Sequence, residues 1–181
     1  RALFRKMGEM GFLGIEFPEK YGGMELDFMF TTVFYEAMGY HSSAGVTTTV
    51  SAHVYLAMNY IARGGSDFLK EKYLVSGITG EKVGALAMTE PFAGSDLKAL
   101  RTTAEKVGDH YIVNGSKTFI TNGYYGDYFV TAVKTDHGIS MLVIDADSEG
   151  VSRTKLDKLG LRCSDTAEIA FDNVKVPVEN L

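Results

Sequence analysis

The chain has 181 residues, enough for one large domain or two small ones, and 45% of them are hydrophobic, as is usual in globular proteins. Its net charge of −5, without a lysine- or arginine-rich run, argues against a nucleic-acid partner. The single cysteine, Cys163, excludes an internal disulfide and fits a reducing compartment. No apolar run reaches the roughly 18 residues of a membrane span. Arg5, Lys6 and Glu9 interrupt any secretory signal at the start.

The first part of the chain, residues 1–80, has the spacing and punctuation of helices. One face of a first helix is predicted from four apolar residues, Leu3, Phe4, Met7 and Met10. Three further helices are predicted from their N-caps (Asp27, then Ser42 or Ser43, then Ser66 or Asp67) and from their glycine ends (Gly39, Gly64-Gly65 and Gly77). Within the third, His53 is expected to be a satisfied interior residue, because the sequence offers it no ligand-binding partner.

The second part, residues 81–181, has the pattern of short strands. Seven β-rich runs are predicted, at 83–89, 102–107, 111–113, 117–121, 128–133, 139–144 and 168–171. Turn pairs separate them, namely Gly108-Asp109, Asn114-Gly115, Asn122-Gly123, His137-Gly138 and Glu149-Gly150. Many short strands with regular turns predict a small antiparallel barrel or sandwich. The fold class is therefore α+β, with an all-α helical domain at 1–80 and a small β domain at 81–181.

The segment LAMTEPFAGSDLKA, at 86–99, carries the clearest binding-loop pattern of the chain. Pro91 fixes one backbone torsion, and Gly94 is free to take conformations closed to other residues. Successive N–H groups in such a loop bind anions, notably phosphates. The alternative is a sharp turn after a strand, capped by Ser95 or Asp96. Local chemistry supports the two interpretations equally.

Four motifs stand out in the sequence: GFLGIEFPEKYGG at 11–23, AMTEPFAGSDLKA at 87–99, YIVNGSKTFITNG at 111–123 and KLGLRCSDTAEIAFDNVKVP at 158–177. Together they resemble the motifs of the acyl-CoA dehydrogenase family. They stand in the family's order and cover essentially the whole chain. The segment 156–168 is most similar to the long-chain and branched-chain members.

This resemblance implies that FAD lies across the mouth of the β domain. Leu86, Met88 and Thr89 are then expected to border the isoalloxazine ring, through backbone groups and the Thr89 hydroxyl. Gly94 and Ser95 are expected at the cofactor pyrophosphate, and Ser95 also at the acyl-CoA substrate. A second set is expected at the ring itself: Phe119 flat on it, Ile120 beside it and Thr121 donating a hydrogen bond near the reactive nitrogen. Such a donor favours the electron-rich reduced ring.

The resemblance also assigns the catalytic base elsewhere. Glu90 and Asp96 form a carboxylate pair of the kind that does acid–base work, but in the family these acids are structural, and Asp96 is expected to be a cap. Lys117 is expected to be a solvated or salt-bridged strand residue. In the family the base is a glutamate of a C-terminal helical domain, so the chain, which stops at Leu181, is expected to be an inactive fragment with no catalytic residue and no metal site.

The implied activity is α,β-dehydrogenation of acyl-CoA thioesters, with electrons passed to electron-transfer flavoprotein. Two alternatives stay open: an oxidase of the same fold that uses oxygen, and a relative that holds flavin or acyl-CoA without chemistry. The family implies a homotetramer in the bacterial cytoplasm or the mitochondrial matrix. Two departures concern the site. Phe119 stands where tryptophan is often found, and Phe92 stands where small residues are common and is expected to crowd the cofactor loop.

Overall fold

The computed structural model describes all of residues 1–181. The chain divides into two compact units, one of Arg1–Gly84 with Lys158–Ser164 and one of Ala85–Asp157 with Asp165–Leu181. We refer to them as the helical unit and the β unit. None of the helices is both long and apolar enough to cross a membrane.

The helical unit contains six α-helices, a 3₁₀ turn at Glu19–Tyr21 and two π-helical segments. The α-helices are α1 (Ala2–Glu9), α2 (Phe28–Gly39), α3 (Ala44–Ser51), α4 (Asn59–Gly64), α5 (Asp67–Leu69) and α6 (Val75–Ile78). The π-helical segments are Ala52–Met58, which joins α3 to α4, and Lys70–Leu74, which joins α5 to α6. The four predicted helices are therefore confirmed, but the third and fourth each contain a wider turn that hydrophobic spacing does not reveal.

Two of the predicted caps form, and one does not. Asp27 Oδ1 accepts a hydrogen bond from the Met29 N–H at 2.8 Å, and Ser66 Oγ accepts one from the Leu69 N–H at 3.3 Å. Ser43 precedes α3 but makes no capping bond. Its hydroxyl lies 2.7 Å from Cys163 Sγ instead, in the segment of the helical unit that comes from late in the chain.

His53 is fully buried and joins three segments of the helical unit. Its Nδ1 accepts a hydrogen bond from the Gly84 N–H at 2.9 Å, and its Nε2 lies 3.1 Å from the Gly77 carbonyl. The ring of Phe4 packs edge-on against it, with centroids 5.3 Å apart. Because Nδ1 is an acceptor, the ring is neutral and Nε2 carries the proton that Gly77 accepts. The expectation of a satisfied interior histidine is confirmed.

The β unit contains seven strands in one sheet. They are β1 (Gly84–Ala87), β2 (Thr103–Val107), β3 (His110–Thr121), β4 (Tyr128–Thr135), β5 (Gly138–Asp145), β6 (Val151–Lys155) and β7 (Thr166–Pro177). The order is β1-β4-β2-β3-β7-β6, with β5 paired to β4 off this path. Pairing is antiparallel between β2 and β3, β3 and β7, β4 and β5, and β6 and β7, whereas β2 and β4 run parallel where Thr103 meets Lys134.

The prediction of a hairpin turn at Asn114-Gly115 is wrong. Both residues lie inside β3, a single strand of 12 residues, where the register with β7 shifts between Val113 and Gly115. Gly115 has φ of 146°. A Cβ added there would lie 2.6 Å from Thr102 Oγ1. At this shift β7 has one more residue than β3, so the extra residue of the bulge lies in β7, opposite Asn114. Glycine at 115 allows the torsion of β3 and the close approach of Thr102.

The core of the β unit comes from inward-facing residues of β1 to β5 and β7. Its fully buried members include Ala85, Val113, Phe129, Leu142 and Val174. Strand β6 was not predicted, because Val151 is the only apolar residue in Val151–Lys155. This agrees with the structure, in which no position of the strand is fully buried.

The segment after β1 brings opposite parts of this sheet together. In the strand order β4 and β2 lie between β1 and β3. Nevertheless the Thr118 N–H of β3 donates to the Thr89 carbonyl at 2.8 Å, and Lys117 Nζ donates to the Met88 carbonyl at 3.2 Å. The sheet is therefore curled into a half-barrel, which confirms the predicted fold class in its α+β organisation.

A buried ion pair reinforces this contact. Lys117 Nζ lies 2.8 Å from Glu90 Oε1, and the two side chains are 0% and 4% exposed. Glu90 also accepts hydrogen bonds from the Arg101 N–H, the Thr102 N–H and the Thr102 hydroxyl. Burial alone would raise the pKa of Glu90, but these donors and Lys117 together hold that pKa below its ordinary value. Lys117 is thus a salt-bridged residue and not a solvated one.

We expect His53→Leu to lower the free energy of unfolding by about 2–4 kcal/mol, because a leucine leaves two buried backbone groups without their partner. Urea denaturation of the purified protein measures this. The exposed turn residue His137 is the matched control, and His137→Leu should change the same quantity by less than about 0.5 kcal/mol. Equal effects of the two substitutions would contradict the bridging role of His53.

We also expect the Glu90 carboxylate to stabilise the fold in a pH-dependent way. Its pKa is lower in the folded than in the unfolded protein, so its contribution is complete above about pH 4.3 and is lost as the pH falls through the folded value. Glu90→Gln should lower the free energy of unfolding by about 3–5 kcal/mol at neutral pH. Urea denaturation at several acidic pH values should show this difference shrinking, whereas a constant difference would contradict the assignment.

Candidate functional site

The two segments predicted to contact a flavin lie against each other in the β unit. The Thr118–Thr89 hydrogen bond and the Lys117–Met88 hydrogen bond join them. Thr89 and Thr121 are half-buried, as are Leu86 and Met88. The structure therefore brings the first and second sets of predicted ring contacts together, at the point where β1 ends and β3 ends.

Phe119 occupies a bulge in β3. Lys117 pairs with Ile169 and Ile120 with Ala167, so β3 has one more residue than β7 between these pairs. Phe119 takes φ of 59°, a left-handed conformation that costs a bulky residue about 1–2 kcal/mol. Its side chain is 69% exposed. Bulges of this kind re-aim side chains beside functional sites, and this one turns an aromatic ring out of the strand to the surface.

Ile120 differs from its neighbour, because its side chain is 3% exposed and belongs to the hydrophobic core of the β unit. Its backbone is engaged as well, because it pairs with Ala167 of β7 and its carbonyl accepts the Gly123 N–H at 3.1 Å, so Ile120 has little surface open to a ligand. Periodicity without the resemblance would have assigned both Phe119 and Ile120 to the core. That is right for Ile120 and wrong for Phe119, because the bulge reverses the facing of one residue.

The loop after Glu90 is a tight hairpin. Glu90 and Ala93 exchange two backbone hydrogen bonds of 2.9 and 3.1 Å, with Pro91 and Phe92 at its tip. Phe92 is 70% exposed and the Arg101 guanidinium lies over its ring, 4.5 Å from the centroid. The ring of Phe92 is thus held on the surface by Arg101, a partner that the sequence did not reveal.

Gly94 does not use the backbone freedom that the sequence suggested, since its φ is not positive. A Cβ added there would meet no protein atom within 4 Å. The reason for glycine is therefore not a torsion of the loop. What glycine provides at this exposed position is open space at the backbone, which lets a ligand approach it closely.

The residues that follow have backbone donors with no partner in the chain. No protein group accepts a hydrogen bond from the N–H groups of Gly94, Ser95, Asp96 or Leu97. The carboxylate of Asp96 accepts from the Lys98 N–H at 3.1 Å, so the predicted cap is confirmed. The loop therefore has both features that the sequence left as alternatives, a cap and a run of unpaired donors of the kind that binds phosphates.

Three hydroxyl groups of the predicted site are likewise uncommitted. Those of Thr89, Ser95 and Thr121 make no hydrogen bond to the protein. The acids are the opposite case. Glu90 accepts four hydrogen bonds, and Asp96 is used as a cap. The site thus offers hydrogen-bond donors and an aromatic ring to a ligand. Its two carboxylates, those of Glu90 and Asp96, accept hydrogen bonds from groups of the protein itself.

Sequence reasoning missed Thr102 and the position of Lys117. The Thr102 N–H and hydroxyl both bind Glu90, the hydroxyl at 2.6 Å. Glu90 and Thr102 are 12 positions apart, with a loop and a 3₁₀ turn at Leu97–Ala99 between them, and no periodicity connects them. Lys117 begins the predicted strand 117–121 and stands between Ser116 and Thr118, so the sequence around it gave no sign that its side chain is buried.

The helical unit has an apolar groove of its own. It has a volume of about 480 Å³ and is lined mainly by apolar residues of α2 and of the loop before it, among them Met24, Leu26, Phe30, Val33 and Phe34. Phe30 and Val33, which α2 contributes to this groove, are more than half exposed.

Two family models match the chain. The acyl-CoA dehydrogenase N-terminal domain matches residues 1–81, and the acyl-CoA dehydrogenase middle domain matches residues 85–174.

Among curated relatives, the mitochondrial isovaleryl-CoA dehydrogenase of Pongo abelii is 40% identical over 189 residues, which are 100% of this chain and 44% of the relative. The mitochondrial long-chain specific acyl-CoA dehydrogenase of Mus musculus is 38% identical over 189 residues, again 100% of this chain and 44% of the relative. These are members of the branched-chain and long-chain kinds that the sequence resembled. The chain spans less than half the length of the relatives that it matches.

Solved structures share the fold. A chain of the electron transferring flavoprotein structure of Acidaminococcus fermentans, studied toward flavin-based electron bifurcation, matches at TM-score 0.95 and 43% identity, over 100% of this chain and 49% of that chain. An acyl-CoA dehydrogenase complexed with FAD from Bacillus anthracis matches at TM-score 0.93 and 36% identity, over 99% and 31%. The prolyl acyl carrier protein oxidase AnaB matches at TM-score 0.94 and 34% identity, over 98% and 49%.

The two domain models follow each other in the order that the four motifs indicated, and between them they leave few residues unmatched. The chain therefore belongs to the acyl-CoA dehydrogenase family.

Proposed function

We propose that this chain is part of an FAD-dependent enzyme that introduces an α,β double bond into acyl-CoA thioesters and passes the electrons to electron-transfer flavoprotein. Relatives named isovaleryl-CoA and long-chain acyl-CoA dehydrogenases support the reaction. The relative complexed with FAD supports the cofactor. The observation that carries the proposal is the exposed ring of Phe119, turned out of β3 by a left-handed bulge in the segment that the Thr118–Thr89 hydrogen bond joins to the first motif.

The residues present fit FAD. Phe119 would offer a flat apolar face to the isoalloxazine, and the hydroxyls of Thr89 and Thr121, which bind no protein group, would be available to it as donors. The unpaired N–H groups from Gly94 to Leu97 suit its pyrophosphate. FAD, when bound, supplies the acceptor for the hydride that leaves the β carbon of the acyl group.

The chain's own residues bind and orient, and we assign none of them as the base that removes the α proton. Glu90 is buried and paired with Lys117, so it is not free to take a proton from a substrate. Asp96 accepts the Lys98 N–H as a cap, and we give it that structural role. Ser95, exposed in the loop with an uncommitted hydroxyl, is the proposed contact to acyl-CoA.

We further propose a homotetramer in the mitochondrial matrix or the bacterial cytoplasm. Relatives named mitochondrial enzymes support the first compartment. Electron-transfer flavoprotein is the proposed acceptor because the family passes its electrons there and because a structure of such a flavoprotein contains a chain of this fold. The matching oxidase gives a reason to test oxygen as the alternative acceptor.

Anaerobic titration of the purified flavoprotein with short-, long- and branched-chain acyl-CoAs tests the reaction. We expect the visible flavin absorbance to bleach with one class of acyl-CoA, since reduction removes the oxidised chromophore. Bound flavin that no acyl-CoA bleaches would overturn the substrate, and absence of flavin would overturn the cofactor. Rapid return of colour in air, faster than with electron-transfer flavoprotein, would identify the oxidase alternative.

Gly94→Val tests the phosphate loop. The added side chain meets no protein atom but fills the space at the loop backbone, so we expect the Kd for FAD or acyl-CoA to rise at least ~10-fold with little change in unfolding. Equilibrium binding and urea denaturation measure the two effects. Gly160→Val is the matched control, because Gly160 also has open space around its Cβ position and lies outside the loop. Equal affinities for both variants would contradict the assignment of this loop.

A further inference from the structure

The Lys117–Glu90 pair is a costly way to fill space in the β unit. Both side chains are buried, and a buried ion pair is often no more stabilising than apolar residues of the same volume. Burial lowers the pKa of Lys117, an effect that Glu90 opposes. A pair of this kind specifies one backbone arrangement, because its groups are satisfied only when all their partners are in place.

The partners of this pair lie at the proposed flavin contacts. Lys117 Nζ donates to the Met88 carbonyl at 3.2 Å as well as to Glu90. Lys117 also stands two residues before Phe119 in β3. One side chain therefore holds the backbone of both proposed ring-contacting segments at once.

The pair also fixes the strained residue. Phe119 lies between Thr118, whose N–H is bound to the Thr89 carbonyl, and Ile120, whose side chain is in the core. Lys117, which precedes Thr118 in the chain, is anchored by its ion pair. A left-handed phenylalanine persists only where the surrounding structure over-determines its backbone. The ion pair contributes to this by fixing the residues that precede Phe119.

We propose that Lys117 and Glu90 are positioning residues that hold Met88, Thr89 and Phe119 in the arrangement that binds the flavin, and that they thereby set its affinity and reduction potential. The pair acts through these three residues and not by contact with the ring or the substrate. Thr102 belongs to the same device, since its hydroxyl and N–H both bind Glu90. This inference rests on the proposed function.

The test is the Kd for FAD and the flavin midpoint potential of Lys117→Met. We expect the Kd to rise at least ~10-fold, which corresponds to ~1.4 kcal/mol, and the potential to shift. Lys106→Met controls for loss of a lysine, because Lys106 is exposed on β2. Val174→Ala controls for loss of stability alone, because Val174 is fully buried in the core of the same unit. It should weaken folding and leave both flavin readouts unchanged.

Thr102→Val keeps the test decisive if Lys117→Met does not fold. It removes one donor to Glu90 at nearly constant volume and keeps the ion pair, so we expect a smaller rise in Kd in the same direction. If Lys117→Met and Thr102→Val bind FAD as tightly as Val174→Ala at the same potential, the pair is merely structural and the inference is overturned. If the unsubstituted protein binds no FAD, the proposed function itself fails, a result that is distinct from the first.

Discussion

The contact between residues 88–90 and residues 117–118 is the constraint on which the β unit depends. It joins the segment after β1 to β3, although two other strands lie between β1 and β3 in the sheet, through the Thr118–Thr89 backbone hydrogen bond, the Lys117–Met88 hydrogen bond and the Lys117–Glu90 ion pair. Glu90 draws Thr102 and the Arg101 backbone into the same cluster. The same bonds therefore curl the sheet and bring the two proposed flavin segments next to each other.

The site divides its polar groups into two classes. Carboxylates and the buried lysine are satisfied inside the protein, where they hold backbone in place. Hydroxyls and loop N–H groups are left without protein partners. A cofactor with an extended ring and a pyrophosphate needs the second class, and its position depends on the first. The family's signature motif contains both classes within ten residues, so its letters alone do not tell which residues hold the loop and which bind.

Much of this was predictable from the sequence, and the failures have physical causes. Caps at Asp27 and Ser66 and the α+β order follow from local preferences that the fold keeps. Asn114-Gly115 was mistaken for a turn because the pair that favours a hairpin also suits an irregular position inside a strand, where Gly115 takes a positive φ and Thr102 lies close to it. The ion pair between Glu90 and Lys117 could not be predicted, because the two residues lie 27 positions apart and no sequence periodicity relates them. The facing of Phe119 came from the family resemblance and not from pattern.

Residues Lys158–Ser164 leave the β unit between β6 and β7 and belong by their contacts to the helical unit, where Cys163 meets Ser43 and lies beside Gly45. The units are therefore not separable by a single cut in the gene. If residues 1–84 were exchanged for those of a relative, α3 would come from one protein and the segment Lys158–Ser164, which it contacts, from another. In evolutionary terms, the glycine at 45 and the side chain at 163 are expected to change together, as one inherited module encoded in two places.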